Sequence, residues 1–146
     1  PPPLPARFRQ EYPALTRTVL LRHCDIPPEA GLGPDHFDWM LERAPDAPLI
    51  TFRLQERPDG PGLESFTAER LPDHRRAYLD YEGPVSNGRG RVEKLTQGIC
   101  TRLEESFDRL DVVCLFESSP GVEHHYLGRA EGDGRWRFTR RVTPTS

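Results

Sequence analysis

Lysine is almost absent from this chain: of its 20 basic residues only Lys94 is a lysine, and the rest are arginine. With abundant proline, alanine and glycine, that bias points to a GC-rich, bacterial coding background rather than to a function. Cysteine is scarce as well, and Cys24, Cys100 and Cys114 show no CxxC spacing. An odd trio of this kind indicates neither a disulfide framework nor a zinc knuckle. No apolar run approaches the roughly 18 residues that a membrane span requires. There is no glycine-rich phosphate loop, no internal repeat and no recognisable leader, so the expectation is a soluble, cytoplasmic protein without a membrane partner. The net charge of −3 excludes a global electrostatic pull on nucleic acid. Arginines do cluster, at Arg70, Arg75, Arg76, Arg89 and Arg91 and again at Arg135, Arg137, Arg140 and Arg141. Interleaved acids around the first group fit a salt-laced surface.

What is present is punctuation. Sixteen prolines and twelve glycines, with a hydrophobic content of 35%, divide 146 residues into many short segments. The length suits a single domain. Residues 1–14 hold five prolines and little periodic hydrophobicity, and are expected to form an extended N-terminal arm, leaving 15–146 as the domain. Apolar or alternating runs predict strands over 15–23, 36–43, 48–54, 64–71, 90–95, 99–106, 110–118, 122–129 and 135–141. Turn residues separate them, among them Pro58-Asp59-Gly60, Gln97-Gly98 and Gly132-Asp133-Gly134. Residues 102–110 also fit a helical turn, because Leu103, Phe107 and Leu110 share a helical face. The predicted fold is mostly β: a compact antiparallel β-barrel of about eight strands.

Within this frame, chemistry-bearing residues concentrate in two places. His36 and Asp38 alternate with Phe37 and so share one face of a strand, while His23 ends the strand before it. Two imidazoles and a carboxylate from adjacent strands form a facial set for a divalent metal. The second place is 71–83, where His74 and Tyr78 are four residues apart and would share a face if the segment turned helically. A histidine beside a metal can protonate a leaving oxygen, and a tyrosine hydroxyl can steady a phosphoryl oxygen. His124 and His125 are adjacent in a strand, so they face opposite sides.

Arg22-His23, HFDWMLE (36–42), PDHRRAYLDYEGPVSNGRGRV (72–92) and GRWRFTRR (134–141) together resemble, in order, the 3′-phosphoesterase domain at the N-terminus of bacterial DNA ligase D. The resemblance implies an eight-stranded β-barrel with a manganese-type divalent metal in its crevice. By matching position, His23, His36 and Asp38 would ligate the metal, His74 would contact the scissile phosphate and Tyr78 would support it. It also implies removal of 3′-phosphates or 3′-ribonucleosides from the 3′ ends of DNA or of RNA–DNA primer-templates during DNA repair. A separate DNA ligase or polymerase is the partner expected to follow. Two departures stand out: the family's HxDxR arginine is Met40 here, and a second arginine position falls near Phe66. Arg70, Arg75 and Arg76 are the candidate replacements. The alternatives are a degenerate barrel that binds metal or nucleic acid without catalysis, and a non-haem iron oxygenase whose distal histidine would be His124 or His125.

Overall fold

The computed structural model describes residues 15–145, so the arm predicted over 1–14 lies outside the described residues. Nine strands follow in chain order: β1 (Thr16–Cys24), β2 (His36–Glu42), β3 (Leu49–Leu54), β4 (Ser65–His74), β5 (Gly83–Pro84), β6 (Arg91–Ser106), β7 (Arg109–Phe116), β8 (Val122–Gly132) and β9 (Arg135–Pro144). Single 3-10 turns occupy Pro28–Ala30 and Arg76–Leu79. Among the described residues no helix is long and apolar enough to cross a membrane.

Every pairing is antiparallel, in the order β1-β2-β3-β4-β9-β8-β7-β6, and β6 returns to pair with β1. The sheet therefore closes on itself, which removes its free edges, and β5 adds a two-residue pairing at the start of β6. This is the mostly β, closed antiparallel architecture expected from the sequence. The two strands predicted over 90–95 and 99–106 are one strand. Gln97-Gly98 is not a turn: a Cβ on Gly98 would stand 1.9 Å from the Leu115 carbonyl oxygen, so glycine there permits close backbone approach. β6 thereby serves two neighbours, β1 along its first part and β7 along its second. Residues 102–106 continue β6 and Arg109–Leu110 open β7, so the helical turn over 102–110 does not form. Ladder bonds to β7 override the weak helical period.

Alternation gives the ring two differently built faces. Inside, Trp39, Phe52, Phe66, Tyr126, Trp136 and Phe138 pack with Leu20, Leu41, Leu110 and Val112. Trp39 lies 4.7–6.4 Å, centroid to centroid, from Phe52, Phe66, Tyr126 and Phe138. Each such buried ring contributes on the order of 1.5–3 kcal/mol by removal from water. Its indole N–H is satisfied by Thr18 Oγ1 at 3.0 Å. On the opposite face a smaller cluster forms from Val19, Leu21, Met40, Leu49, Leu79 and Val92, with Tyr78 and Val85 packed against it. The connection between β4 and β6 thus lies across this second face, and the polar residues of β1 and β2 that share it sit beneath that connection.

Candidate metal centre

The β1–β2 register sets His23 directly opposite His36, and Leu21 opposite Asp38. Both histidines and Asp38 are buried, at 8%, 5% and 4% exposure. One ligand atom from each lies within 4.8 Å of the other two. The long proline- and glycine-rich connection between the strands accommodates a turn without disturbing this pairing.

Proton placement decides what the cluster can hold. The Nε2 of His23 lies 2.6 Å from the Arg89 carbonyl, and the Nδ1 of His36 lies 3.0 Å from the Pro34 carbonyl. A carbonyl only accepts, so those ring nitrogens carry the protons. In the neutral imidazoles the other nitrogens then present lone pairs. His36 Nε2 is 3.3 Å from Asp38 Oδ1, and His23 Nδ1 is 3.6 Å from Asp38 Oδ2. Asp38 Oδ1 is buried and has no hydrogen-bond partner. Lone pairs converging on a buried carboxylate require something positive between them, a proton or a metal ion. Burial works to raise the Asp38 carboxyl, but His23 and His36, which donate to it and carry positive charge once protonated, outweigh burial and hold it at about 2. The carboxylate, through its hydrogen bond, in turn raises His23 above the usual imidazole value against the opposing effect of burial. The donor set fits a divalent cation, with each histidine oriented by a backbone carbonyl behind it.

His74 and Tyr78 line the same cavity, of about 210 Å³, together with Met40, Arg53, Pro72, Val85 and Arg89. They do not share a helical face. His74 ends β4, and Tyr78 sits in the 3-10 turn that follows, with the ring centroids 5.7 Å apart. His74 directs Nδ1–H to the Pro72 carbonyl at 2.8 Å, which leaves the lone pair of the neutral ring on Nε2. A signal missed in the sequence explains two of these orientations. Pro-Asp-His occurs at 34–36 and again at 72–74, and in both the histidine bonds the carbonyl of the proline two residues before it.

Of the arginines proposed to replace those lost at Met40 and Phe66, two are engaged elsewhere. Arg70 pairs with Asp73 and lies over the Phe52 ring, and Arg76 pairs with Glu42 and the Ala44 and Ala47 carbonyls. Arg75 lies over the Tyr78 ring, 5.9 Å from its centroid. Phe66 belongs to the inner aromatic cluster, stacked on Phe138 at 5.2 Å, and faces away from the metal cavity. Two arginines line the cavity: Arg89, whose Nε and Nη2 are directed to Ser86, and Arg53, which the sequence did not single out because it reads as an ordinary polar position of a strand.

The oxygenase alternative placed its third ligand at His124 or His125, and neither joins the cluster. His124 lines a larger cavity, of about 580 Å³, with Arg57, Asp59, Ser118 and Arg140. His125 pairs with Asp111 at 2.8 Å. A scan against models of known protein families returns no match for this chain. A search of curated proteins returns no match either.

Proposed function

We propose that this protein is a metal-dependent phosphoesterase that processes 3′ ends of nucleic acid, removing a 3′-phosphate or 3′-ribonucleoside, as its resemblance to the ligase D 3′-phosphoesterase domain implies. One observation carries the proposal: His74 and Tyr78, far along the chain from His23, His36 and Asp38, line the same small cavity. His23, His36 and Asp38 would hold the cation, and manganese is the metal that the resemblance implies. A divalent cation held there supplies Lewis-acid polarisation of the phosphoryl group and a bound water of lowered pKa. His74, with Nδ1–H fixed on a backbone carbonyl, offers Nε2 for proton transfer at the leaving oxygen. The Tyr78 hydroxyl, which has no hydrogen bond to another described residue, is available to a phosphoryl oxygen.

Manganese-dependent release of phosphate or of a 3′-ribonucleoside from a primer-template tests this directly. The expected result is turnover by the intact chain that disappears in His36→Ala and falls by about 10²–10⁴ in His74→Ala. Metal binding without any release would sink the catalytic proposal. It would favour instead a non-catalytic barrel that retains its metal pocket. The observation that favours that second reading is Met40: 1% exposed and packed in an apolar cluster, it offers no charge to a phosphate from the very strand that carries His36 and Asp38.

A further inference from the structure

Arg53 has no part in holding a cation, yet its position is built. It stands directly opposite Asp38 in the β2–β3 register, so both side chains leave the sheet on the same face. It lines the cavity together with His23, His36, Asp38, His74 and Tyr78. The guanidinium is held from behind: one Nη2 proton goes to the Leu32 carbonyl. Gly33 makes room for it, since a Cβ there would stand 2.8 Å from Nη2. Among the described residues Arg53 has no carboxylate partner, and its Nε and Nη1 protons have no protein acceptor.

A half-buried cation without a counter-charge is unfavourable unless an anion joins it. The cavity itself offers little compensation. Among the described residues Asp38 is the sole carboxylate lining it, against Arg53 and Arg89. The Nε and Nη2 of Arg89 are already directed to Ser86. With a divalent cation on the triad the cavity becomes strongly electropositive, the environment that a dianion selects.

We propose that Arg53 is the anion clamp of this cavity, its free guanidinium protons, Nε–H among them, gripping a phosphoryl group beside the residues that would hold the cation. The clamp is thereby carried on β3, one strand over from the position that Met40 occupies in its apolar cluster. This assignment rests on the phosphoesterase reading for its ligand class, and makes Arg53 a substrate-binding residue that neither motif contains.

The test is binding of inorganic phosphate to the manganese-loaded protein by calorimetry, with manganese affinity measured separately by electron paramagnetic resonance. Arg53→Met is expected to weaken phosphate about tenfold to a hundredfold while leaving manganese affinity unchanged, and Arg53→Lys to recover part of the loss. In the intact protein, loaded with magnesium to keep it diamagnetic, the Arg53 Nε–H resonance is expected to move on phosphate addition, a readout that needs no variant to fold. Absence of phosphate binding, equal binding by Arg53→Met, an unmoved Nε–H resonance, or parallel loss of manganese would each overturn the assignment. Phosphate held through Arg53 without release from a primer-template would leave it standing and overturn the phosphoesterase reading. Turnover with phosphate binding indifferent to Arg53 would do the reverse.

Discussion

The metal cavity and the larger cavity at one mouth of the ring contain the same residue types, histidine, aspartate and arginine, and differ in which atoms are left over. At the mouth, Asp59 accepts from Arg57 Nε at 2.9 Å, Arg57 Nη2 at 2.7 Å and Ser118 Oγ at 2.7 Å. Arg140 Nη1 donates to the Pro58 carbonyl at 2.8 Å and to His124 Nδ1 at 3.5 Å. A guanidinium only donates, so His124 Nδ1 accepts and Nε2 carries the proton. The polar atoms that remain buried and unpartnered there are His124 Nε2 and Arg140 Nε, both donors. Around the triad the leftover atoms are a carboxylate oxygen and two imidazole lone pairs, all acceptors. Cations need acceptors, so the smaller cavity is the one whose residues could hold a metal ion, and the larger one fastens the 57–62 loop. Volume and residue type do not separate the two sites; the direction of the protons does.

Removing one carboxylate from each cavity breaks the comparison most sharply. Asp38→Asn replaces an anionic ligand by an amide, and is expected to weaken manganese binding by at least about a hundredfold, measured by electron paramagnetic resonance. Asp59→Asn is expected to leave manganese affinity unchanged. It should instead lower unfolding free energy by about 1–3 kcal/mol in urea melts, because Arg57 and Ser118 lose their charged partner. If Asp59→Asn weakened metal and Asp38→Asn did not, the two assignments would exchange places.

A gentler contrast uses glycines. Gly90 has φ +85°, and a Cβ on it would stand 2.4 Å from the Cys24 carbonyl, next to the Arg89 carbonyl that orients His23. Gly90→Ala should therefore displace that carbonyl and cost about tenfold in manganese affinity, as loss of an outer-shell partner does. Gly62, in the mouth loop, has φ +72° but open space around its Cβ position. Gly62→Ala should cost about 1 kcal/mol of stability from left-handed strain alone, with no change in metal affinity.

The contrast between the cavities was only half legible in the sequence. Alternation in HFD put His36 and Asp38 on one face, and the position of His23 at a strand end brought it alongside. These follow from the period of two that any strand obeys. Antiparallel closure was legible for the same reason, from many short strands between turns. The union of Gln97-Gly98 into one long β6 was not, because it depends on how closely the Leu115 backbone approaches, a tertiary fact. Nor was Arg53, whose meaning comes from standing opposite Asp38 across a ladder whose register is set by the turn between β2 and β3. The repeated Pro-Asp-His was visible, yet its sense lies in a backbone carbonyl that accepts from the ring two residues on. His74 and Tyr78 were paired on the assumption of helix. They meet instead through a strand end and a 3-10 turn, so the two rings come together by a different geometry.

The smallest predicted effect is a difference in sign between the two buried histidines in metal-free protein. The Asp38 hydrogen bond raises His23 above the ordinary imidazole value, against burial. Its stabilising contribution is complete below the unfolded value of about 6.5 and is lost as pH rises through the higher folded value. Burial, and then the Arg140 charge, lowers His124. The folded state keeps His124 neutral, so its contribution is complete above about 6.5 and is lost as pH falls from there toward the lower folded value. In the intact chain the two losses fall on opposite sides of about 6.5 and together give stability a maximum near it. His23→Gln should expose a stability that rises with pH, and His124→Gln one that falls. Proton resonances of the two rings should titrate on opposite sides of 6.5, and a saturating diamagnetic dication should abolish the His23 titration while leaving that of His124 in place. Midpoints on the same side, or a dication that silences both rings, would mean that the leftover acceptors are not confined to the triad.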